Sequence, residues 1–264
     1  MKQGSLVNVG LGMTLGAHIT PISRNFIEKA DVVFVSASNV LIEEWVKTMN
    51  DNVISLQKFY AKGLSRMVTY KNMTAAILDE VRAGKNVCGA FYGHPGVFAW
   101  PPHATIKQAR LEGFTAHMEP GVSAEDCLYA DLGIDPGKTG CAHFEASQFL
   151  FNHRSFDPSA YLILWQISLA GDKTMETFET TSEQRQLLVD LLLQTYPADH
   201  EVILYECAVL PIEEVRMDQV KLCDLASQPV NLKTTLVIPP KHKRIPNLEM
   251  ISLAEKITEK INRY

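Results

Sequence analysis

Tyr60, Arg66 and Tyr70 stand close together in the stretch "FYAKGLSRMVTY", residues 59–70. A phenol is a weak acid with a pKa of about 10, and a neighbouring guanidinium lowers that value. Two phenols and a guanidinium therefore make a set that can take or give a proton. Arg66 and Tyr70 are four residues apart, so a helix would place them on one face. Tyr60 lies across a loop that carries Gly63. A strand end, a loop and a helix start can thus bring the three together. The other reading leaves Tyr70 as a core ring, Tyr60 as a loop anchor and Arg66 in solvent. Residue types alone leave both open.

Other stretches carry binding chemistry. Gly10, Gly12 and Gly16 follow the first apolar run as GxGxxxG, one residue off the dinucleotide fingerprint GxGxxG. That fingerprint also needs an acidic residue closing the second strand; Asp31 begins its strand instead. The glycines then serve a tight turn, beside a ligand or simply within the fold. "FYGHPGVFAWPP" (91–102) joins a strand end to an irregular Gly-His-Pro-Gly loop flanked by aromatic rings. In open α/β sheets ligands collect beyond the carboxyl ends of strands, where such a loop offers bare backbone groups. "EPGVSAEDC" (119–127) sets Ser123 ahead of Asp126 as a capping box, and its helix start presents free N–H donors. Gln166 ends "YLILWQ" (161–166), either as a surface residue or as a hydrogen-bonding pocket residue.

Periodicity indicates the elements that must position these residues. "SLVNVGLG" (5–12) reads as a strand running into a glycine turn. Thr20 followed by Pro21 starts a helix that ends near Lys29. "DVVFVSA" (31–37) and "NVISLQ" (52–57) read as strands. Met67, Tyr70, Thr74, Ile77 and Val81 follow helical spacing up to Gly84. The strand "NVCGAFYG" (86–93), the helix "HATIKQARLEG" (103–113), the strand "TAHMEPG" (115–121) and the capped helix "AEDCLYADL" come next. This alternation predicts parallel βαβ units. The turn-rich "GIDPGKTG" (133–140) opens a second half. There "YLILWQ" and "EVILYEC" (201–207) are strands around the helix "SEQRQLLVDLLLQTY" (182–196). "TTLVIPP" (234–240) is a last strand and "NLEMISLAEKITEKI" (247–261) a closing amphipathic helix. We expect an N-terminal α/β domain over 1–138, a C-terminal α/β domain over 139–242 and a terminal helix within 243–264.

The totals narrow the class. With 264 residues, 46% of them hydrophobic, the chain can bury a substantial core in one large domain or two ordinary ones. It carries 25 basic against 30 acidic residues, a net charge of −5. Phosphate neutralisation needs a concentrated basic surface, so no nucleic-acid partner is expected. The tail from Lys241 leans basic, as a solvated helix face or a binding patch. No apolar run approaches the ~20 residues of a membrane helix, and no apolar h-region follows the start as in a secretory signal. Neither a membrane nor a secretory route is expected. Five cysteines without a CxxC pair argue for reduced thiols in a cytoplasm. Cys127 and Cys141 near His143 lack metal-ligand spacing, so no metal site is expected.

Several of these stretches resemble one family. The two-half layout, the glycine turn, the strand-end G-x-P-x loop and the P-G-x-S helix start are similar to the tetrapyrrole methylase superfamily, the class III S-adenosylmethionine methyltransferases. Within it the chain most resembles the borosin α-N-methyltransferases, which methylate backbone amides of ribosomally made peptides. "FYAKGLSRMVTYKNM", "FYGHPGVF", "PGVSAEDCLYADLGIDP" and "FEASQFLF" carry the similarity, which runs from about Ser5 to Pro240. Gly93-His94-Pro95 stands where the wider superfamily has G-D-P, as it does in borosin enzymes.

The resemblance implies two α/β domains with the cofactor in the cleft between them. It implies that Tyr92, His94, Val97 and Phe98 contact S-adenosyl-L-methionine from the strand-end loop, and Ser123 and Ala124 from the helix start. Gln166 would line the pocket from the second half, with Tyr205, Ala208 and Thr235. S-adenosyl-L-homocysteine would be the product. It also implies an interlocked homodimer, and a heterotetramer once two precursors bind. Fungal members carry their substrate fused at the C-terminus after a long clasp segment. This chain stops at Tyr264 without a Val/Ile/Gly core peptide, which resembles the split bacterial systems whose precursor binds in trans.

On the same resemblance, Tyr60, Arg66 and Tyr70 do the chemistry. A backbone amide nitrogen is a poor nucleophile because its lone pair is delocalised into the carbonyl. The enzyme must remove its proton and stabilise charge moving onto the carbonyl oxygen. Tyr60 would act as base with its pKa lowered by Arg66, and Tyr70 would hold the carbonyl. The two tyrosine roles are exchangeable. Gln57 stands where a fungal member has a further tyrosine. Two rival readings are a corrin- or porphyrin-precursor methyltransferase and a non-catalytic peptide-binding homologue. The stretch 56–73 and the histidine of "GHPG" speak against the first, and the intact Tyr60, Arg66 and Tyr70 against the second.

Overall fold

Apolar residues in runs, buried on both sides, build the first half as a parallel sheet. The computed structural model describes residues 3–61 and 63–261; the chain's first two residues, Lys62 and residues 262–264, with the chain end weighed above, lie outside. Strands β1 (Ser5–Gly10), β2 (Val32–Ser36), β3 (Val53–Ser55), β4 (Asn86–Phe91) and β5 (Thr115–Met118) pair in the order β3-β2-β4-β1-β5, all parallel. Helices α1 (Pro21–Lys29), α2 (Val40–Lys47), α3 (Arg66–Arg82) and α4 (Trp100–Leu111) supply the crossovers. Side chains alternate across a strand. Val32 and Phe34 thus meet Met73, Ile77 and Ile106 of α3 and α4. Val33 and Val35 meet Ile27, Ile42 and Val46 of α1 and α2. A sheet covered on both faces is what parallel pairing requires.

The second half keeps the expected strands around one long helix and adds antiparallel pairing to them. After α5 (Ala124–Leu132) and the short α6 (Pro136–Thr139) come β6 (Cys141–Glu145), α7 (Ala146–Phe151), β7 (Tyr161–Trp165), α8 (Ser182–Leu193), β8 (Glu201–Glu206), β9 (Arg216–Lys221) and β10 (Thr235–Ile238). The sheet order is β6-β7-β10-β8-β9. β6 and β7 run parallel, while β10 is antiparallel to both neighbours and β9 to β8. Helix α8 carries the chain from β7 to β8 in a parallel sense, and β10 returns between them in the opposite direction. One face packs Leu164, Leu204 and Leu236 on Leu188 and Leu192 of α8. The other packs Ile163, Trp165, Tyr205 and Val237 on Leu128 of α5.

Local signals set most element ends. Thr20 Oγ1 accepts the Ser23 N–H at 3.1 Å, and Pro21 occupies the first turn of α1. Helix α4 starts at Trp100 rather than His103, because Pro101 and Pro102 fit a first turn whose N–H groups have no helical acceptor. The strand expected over 52–57 stops at Ser55 and gives way to a 3-10 turn, Leu56–Phe59. Helix α9 (Leu248–Ile261) has no buried residue and exposes Leu248, Met250, Ile251 and Ile257. Among the described residues, no helix is long and apolar enough to cross a membrane. Leu128→Ala should cost about 2–5 kcal/mol, since a fully buried leucine leaves a cavity between the two halves. A lowered denaturant midpoint is the measurement; an unchanged midpoint contradicts the packing described.

Candidate active site

All five parallel strands end on one side, so their following loops converge there. Close backbone contact locks two of those loops to the end of β1. The N–H of Gly93 donates to the Gly12 carbonyl at 2.8 Å, and the N–H of Gly12 donates back to Gly93 at 3.2 Å. A Cβ at Gly10 would sit 2.4 Å from the Gly93 carbonyl oxygen, and one at Gly121 2.7 Å from the same atom. Glycine is required at both positions by space. The glycine-rich turn, the Gly-His-Pro-Gly loop and the start of α5 therefore form one unit.

Above that unit lies a cleft of about 520 Å³ between the two halves. This is within the range of small-molecule sites. Tyr60, Arg66 and Tyr70 all line it. So do Tyr92, His94, Val97 and Phe98 from the loop after β4, and Ser123 and Ala124 at the start of α5. Gln166, Tyr205 and Thr235 line it from the second half. Ala208 is not among the lining residues: its carbonyl turns away and accepts from Thr14 Oγ1 at 2.9 Å. Gln57 lines the cleft too, but its Nε2 donates to the Ala37 carbonyl at 3.0 Å and ties the 3-10 turn to the end of β2.

The wall residues are held locally. His94 Nδ1 accepts the Gly96 N–H at 2.9 Å, which shapes the loop. Ser123 and Asp126 complete the capping box, with Ser123 Oγ donating to Asp126 Oδ2 at 2.7 Å. Tyr205 donates its hydroxyl to Asp131 at 2.7 Å and presents its ring to the cleft. Phe98 and Gln166 both adopt positive φ, 49° and 55°. Such backbone costs roughly 1–3 kcal/mol per residue and concentrates at functional sites. Phe98 exposes 51% of its surface and touches Trp165 and His143, one ring from each of two strands of the second sheet.

The phenols behave differently from the expectation. Arg66 opens α3, and its Nη1 donates to the Thr177 carbonyl of the second half at 2.8 Å. Tyr60 packs against Phe178 at 6.2 Å between ring centroids, and Tyr70 stacks on Trp100 at 6.3 Å. Burial pushes the Tyr60 phenol well up, and the neighbouring Tyr70 and Tyr92 phenols push it further; Arg66 acts in the opposite direction and does not prevail. Tyr92 also moves up, first by burial and then by Tyr70. The expected lowering of Tyr60 by Arg66 is thus corrected. In the protein alone, Tyr60 is a neutral donor.

Residue patterns missed part of the wall. Phe178, Trp165, Glu125, Cys207 and Lys233 line the cleft as well. Trp165 sits one residue before Gln166 in the same apolar run, and strand alternation hid its role. Phe178 belongs to the aperiodic loop 171–181, where no spacing signal exists. Its closing threonine pair, of which Thr181 caps the next helix, was the nearest cue.

Comparison with known proteins identifies the family and the fold. Residues 5–222 match the family model described as Tetrapyrrole (Corrin/Porphyrin) Methylases. A protein of Dendrothele bispora named methyltransferase/ribosomally synthesized cyclic peptide dendrothelin A precursor is 39% identical over 258 residues, covering 96% of this chain and 62% of that protein. The corresponding omphalotin A precursor of Omphalotus olearius is 37% identical, with 96% and 62% covered. The chain therefore spans less than two thirds of the length of these relatives. Among solved structures, uroporphyrin-III-C-methyltransferase from Thermus thermophilus aligns with a TM-score of 0.64 at 18% identity, covering 90% of this chain and 93% of that one. Diphthine synthase aligns with a TM-score of 0.61 at 19% identity, covering 91% of each chain. At such identities these two show the fold, which is that of class III methyltransferases. The chain belongs to the tetrapyrrole (corrin/porphyrin) methylase family.

Proposed function

We propose that the chain is an S-adenosyl-L-methionine-dependent methyltransferase that iteratively methylates backbone amide nitrogens of a ribosomally made precursor peptide. The observation that carries this is the meeting of Tyr60, Arg66 and Tyr70 in one cleft with the Gly-His-Pro-Gly loop. The names of the fungal relatives support it.

The cleft fits the cofactor it would need. Aromatic faces from Tyr92, Phe98 and Trp165 suit a flat base and a sulfonium. The start of α5 offers backbone donors. Trp165 Nε1 is buried without a hydrogen-bond partner among the described residues, leaving a donor free. Tyr92, His94, Val97, Phe98, Ser123, Ala124, Gln166, Tyr205 and Thr235 would hold the group. When bound, S-adenosyl-L-methionine supplies an electrophilic methyl group and leaves as S-adenosyl-L-homocysteine.

The protein's own part is proton and charge management. Tyr60 and Tyr70 would bracket the peptide unit, one facing N–H and the other C=O. A phenol held up by burial is a good hydrogen-bond donor and a poor base. The phenol that takes the amide proton must therefore first give its own proton to solvent and stand as a phenolate in the loaded complex, its charge balanced by Arg66. The other keeps its proton and stabilises the developing imidate oxygen. By the resemblance to split members of the borosin group, the proposal extends to a precursor bound in trans, to a homodimer and to a heterotetramer with two precursors. The exposed apolar side of α9 is available for either contact.

Tyr60→Phe and Tyr70→Phe should each slow turnover at least about tenfold while cofactor binding is kept. Mass increments of one CH2 per transfer on a separately made peptide give the readout. Near-native multiple methylation by either variant removes that residue from the mechanism. Methylation of a corrin precursor in place of the peptide turns the assignment to the small-molecule rival.

A titration checks the electrostatics. Of eight tyrosines, Tyr60, Tyr92, Tyr129, Tyr196 and Tyr205 are all moved up by burial, Tyr196 to about 12. Unfolded phenols release protons near pH about 10, so stability is complete below that value and falls as the pH rises above it. At pH about 11 the native chain should show clearly less phenolate absorbance than the denatured chain. Equal absorbance, with the fold intact, contradicts the burial of these hydroxyls.

A further inference from the structure

Helix α3 starts without a side-chain cap, because Ser65 makes no capping bond. The second half supplies the missing acceptors. The Arg66 N–H donates to the Met175 carbonyl at 2.9 Å, and Arg66 Nη1 donates to the Thr177 carbonyl at 2.8 Å. A backbone carbonyl aims a guanidinium without cancelling its charge, whereas a carboxylate would neutralise it. Both carbonyls belong to the loop 171–181, which also brings Phe178 against Tyr60.

One buried carboxylate organises that loop. Asp172, 6% exposed, accepts from the N–H and the hydroxyl of Thr174, both at 2.7 Å, and from the Thr177 hydroxyl at 3.3 Å. Met175, between these two threonines, is in the left-handed region at φ 60°. A methionine stays there only where its surroundings over-determine the backbone. Asp172 is not among the residues that line the cleft. Burial works against its charge, yet the threonine donors and Arg66 hold its carboxyl below the usual range.

We propose that Asp172 is a positioning residue for methyl transfer: by binding Thr174 and Thr177 it shapes the loop whose carbonyls aim Arg66 and whose Phe178 backs Tyr60. This rests on the reading given under Proposed function. Asp172 touches neither the reacting atoms nor the cofactor's walls. It works through Arg66.

The test has two independent readouts. The first is the rate at which phenylglyoxal modifies Arg66, followed by peptide mass mapping in the full chain. In Asp172→Ala and in Thr177→Val, Arg66 should react at least about threefold faster than in the native protein, as a locally opened site does. The second is methyl transfer to a separately made peptide. Both variants should lose at least about tenfold in kcat, the scale of a misplaced catalytic group, with the KM for S-adenosyl-L-methionine within about twofold. Thr177→Ser keeps the hydroxyl and should remain closer to native than Thr177→Val in both readouts. Should Asp172→Ala fold badly, the comparison of Thr177→Val with Thr177→Ser decides. Unchanged Arg66 reactivity in both Asp172→Ala and Thr177→Val overturns the proposal, as does a rise in KM with kcat kept. A native protein that transfers no methyl to peptide overturns the proposed function instead, and the Arg66 reactivity then decides the positioning on its own.

Discussion

Helix α5 belongs to both halves at once, and the cleft exists because of it. Its first residues follow a backbone contact among Gly10, Gly93 and Gly121 that permits no side chain at Gly10 or Gly121. Its body buries Leu128 completely against Ile163, Trp165, Tyr205 and Val237 of the second sheet. The Tyr205 hydroxyl adds a bond to Asp131 on the same helix. Burial of a large apolar side chain is worth about 1.5–3 kcal/mol, so this seat is a strong constraint on how the second sheet lies. With that seat fixed, the ends of β7 and β8 face the loops beyond β3 and β4. Gln166 and Tyr205 then oppose Tyr92 and Phe98 across the cleft.

The cleft walls combine two opposed requirements. On the proposed function, an electrophile and its acceptor must be kept from water, which calls for aromatic burial. Proton transfer calls for phenols whose ionisation is not too costly. In the protein alone burial prevails, and Tyr60 stays protonated despite Arg66. The arrangement suits a site whose acid–base state is set by what it holds.

Much of this was legible in the residue order. The apolar runs of β1, β2 and β4, the Thr20-Pro21 start and the Ser123–Asp126 box each follow from local physics and appear where expected. The cleft positions named from the family resemblance lie together, apart from Ala208. What escaped shares a common cause. Helix α2 reads "VLIEEWVK", only two turns long, and β9 reads "RMDQVK", an edge strand with little to bury. The antiparallel insertion of β10 is a property of topology and has no local signal. The loop 171–181 has no period at all; its order comes from Asp172 and from contacts with α3 that lie more than a hundred positions away in the chain. The pKa of Tyr60 escaped for a similar reason, since spacing reveals a cation nearby but not how much water is lost.

The three-glycine contact has a consequence for how such a protein can change. Gly10, Gly93 and Gly121 come from three separate segments; a side chain at Gly10 or Gly121 would strike the other and the Gly93 carbonyl, and Gly93 itself is held to glycine by its φ of +64°. Gly10 and Gly121 are therefore frozen by each other and by the Gly93 backbone, and drift at these two places is possible only as a concerted event. Diversity in what the cleft accepts must arise around this fixed point, in the aromatic rim and in the segments contributed by the second sheet. A library built to alter the cleft would leave the three positions untouched and spend its variation on residues such as Phe98, Phe178 and Leu232, whose side chains reach the cavity without holding the loops together.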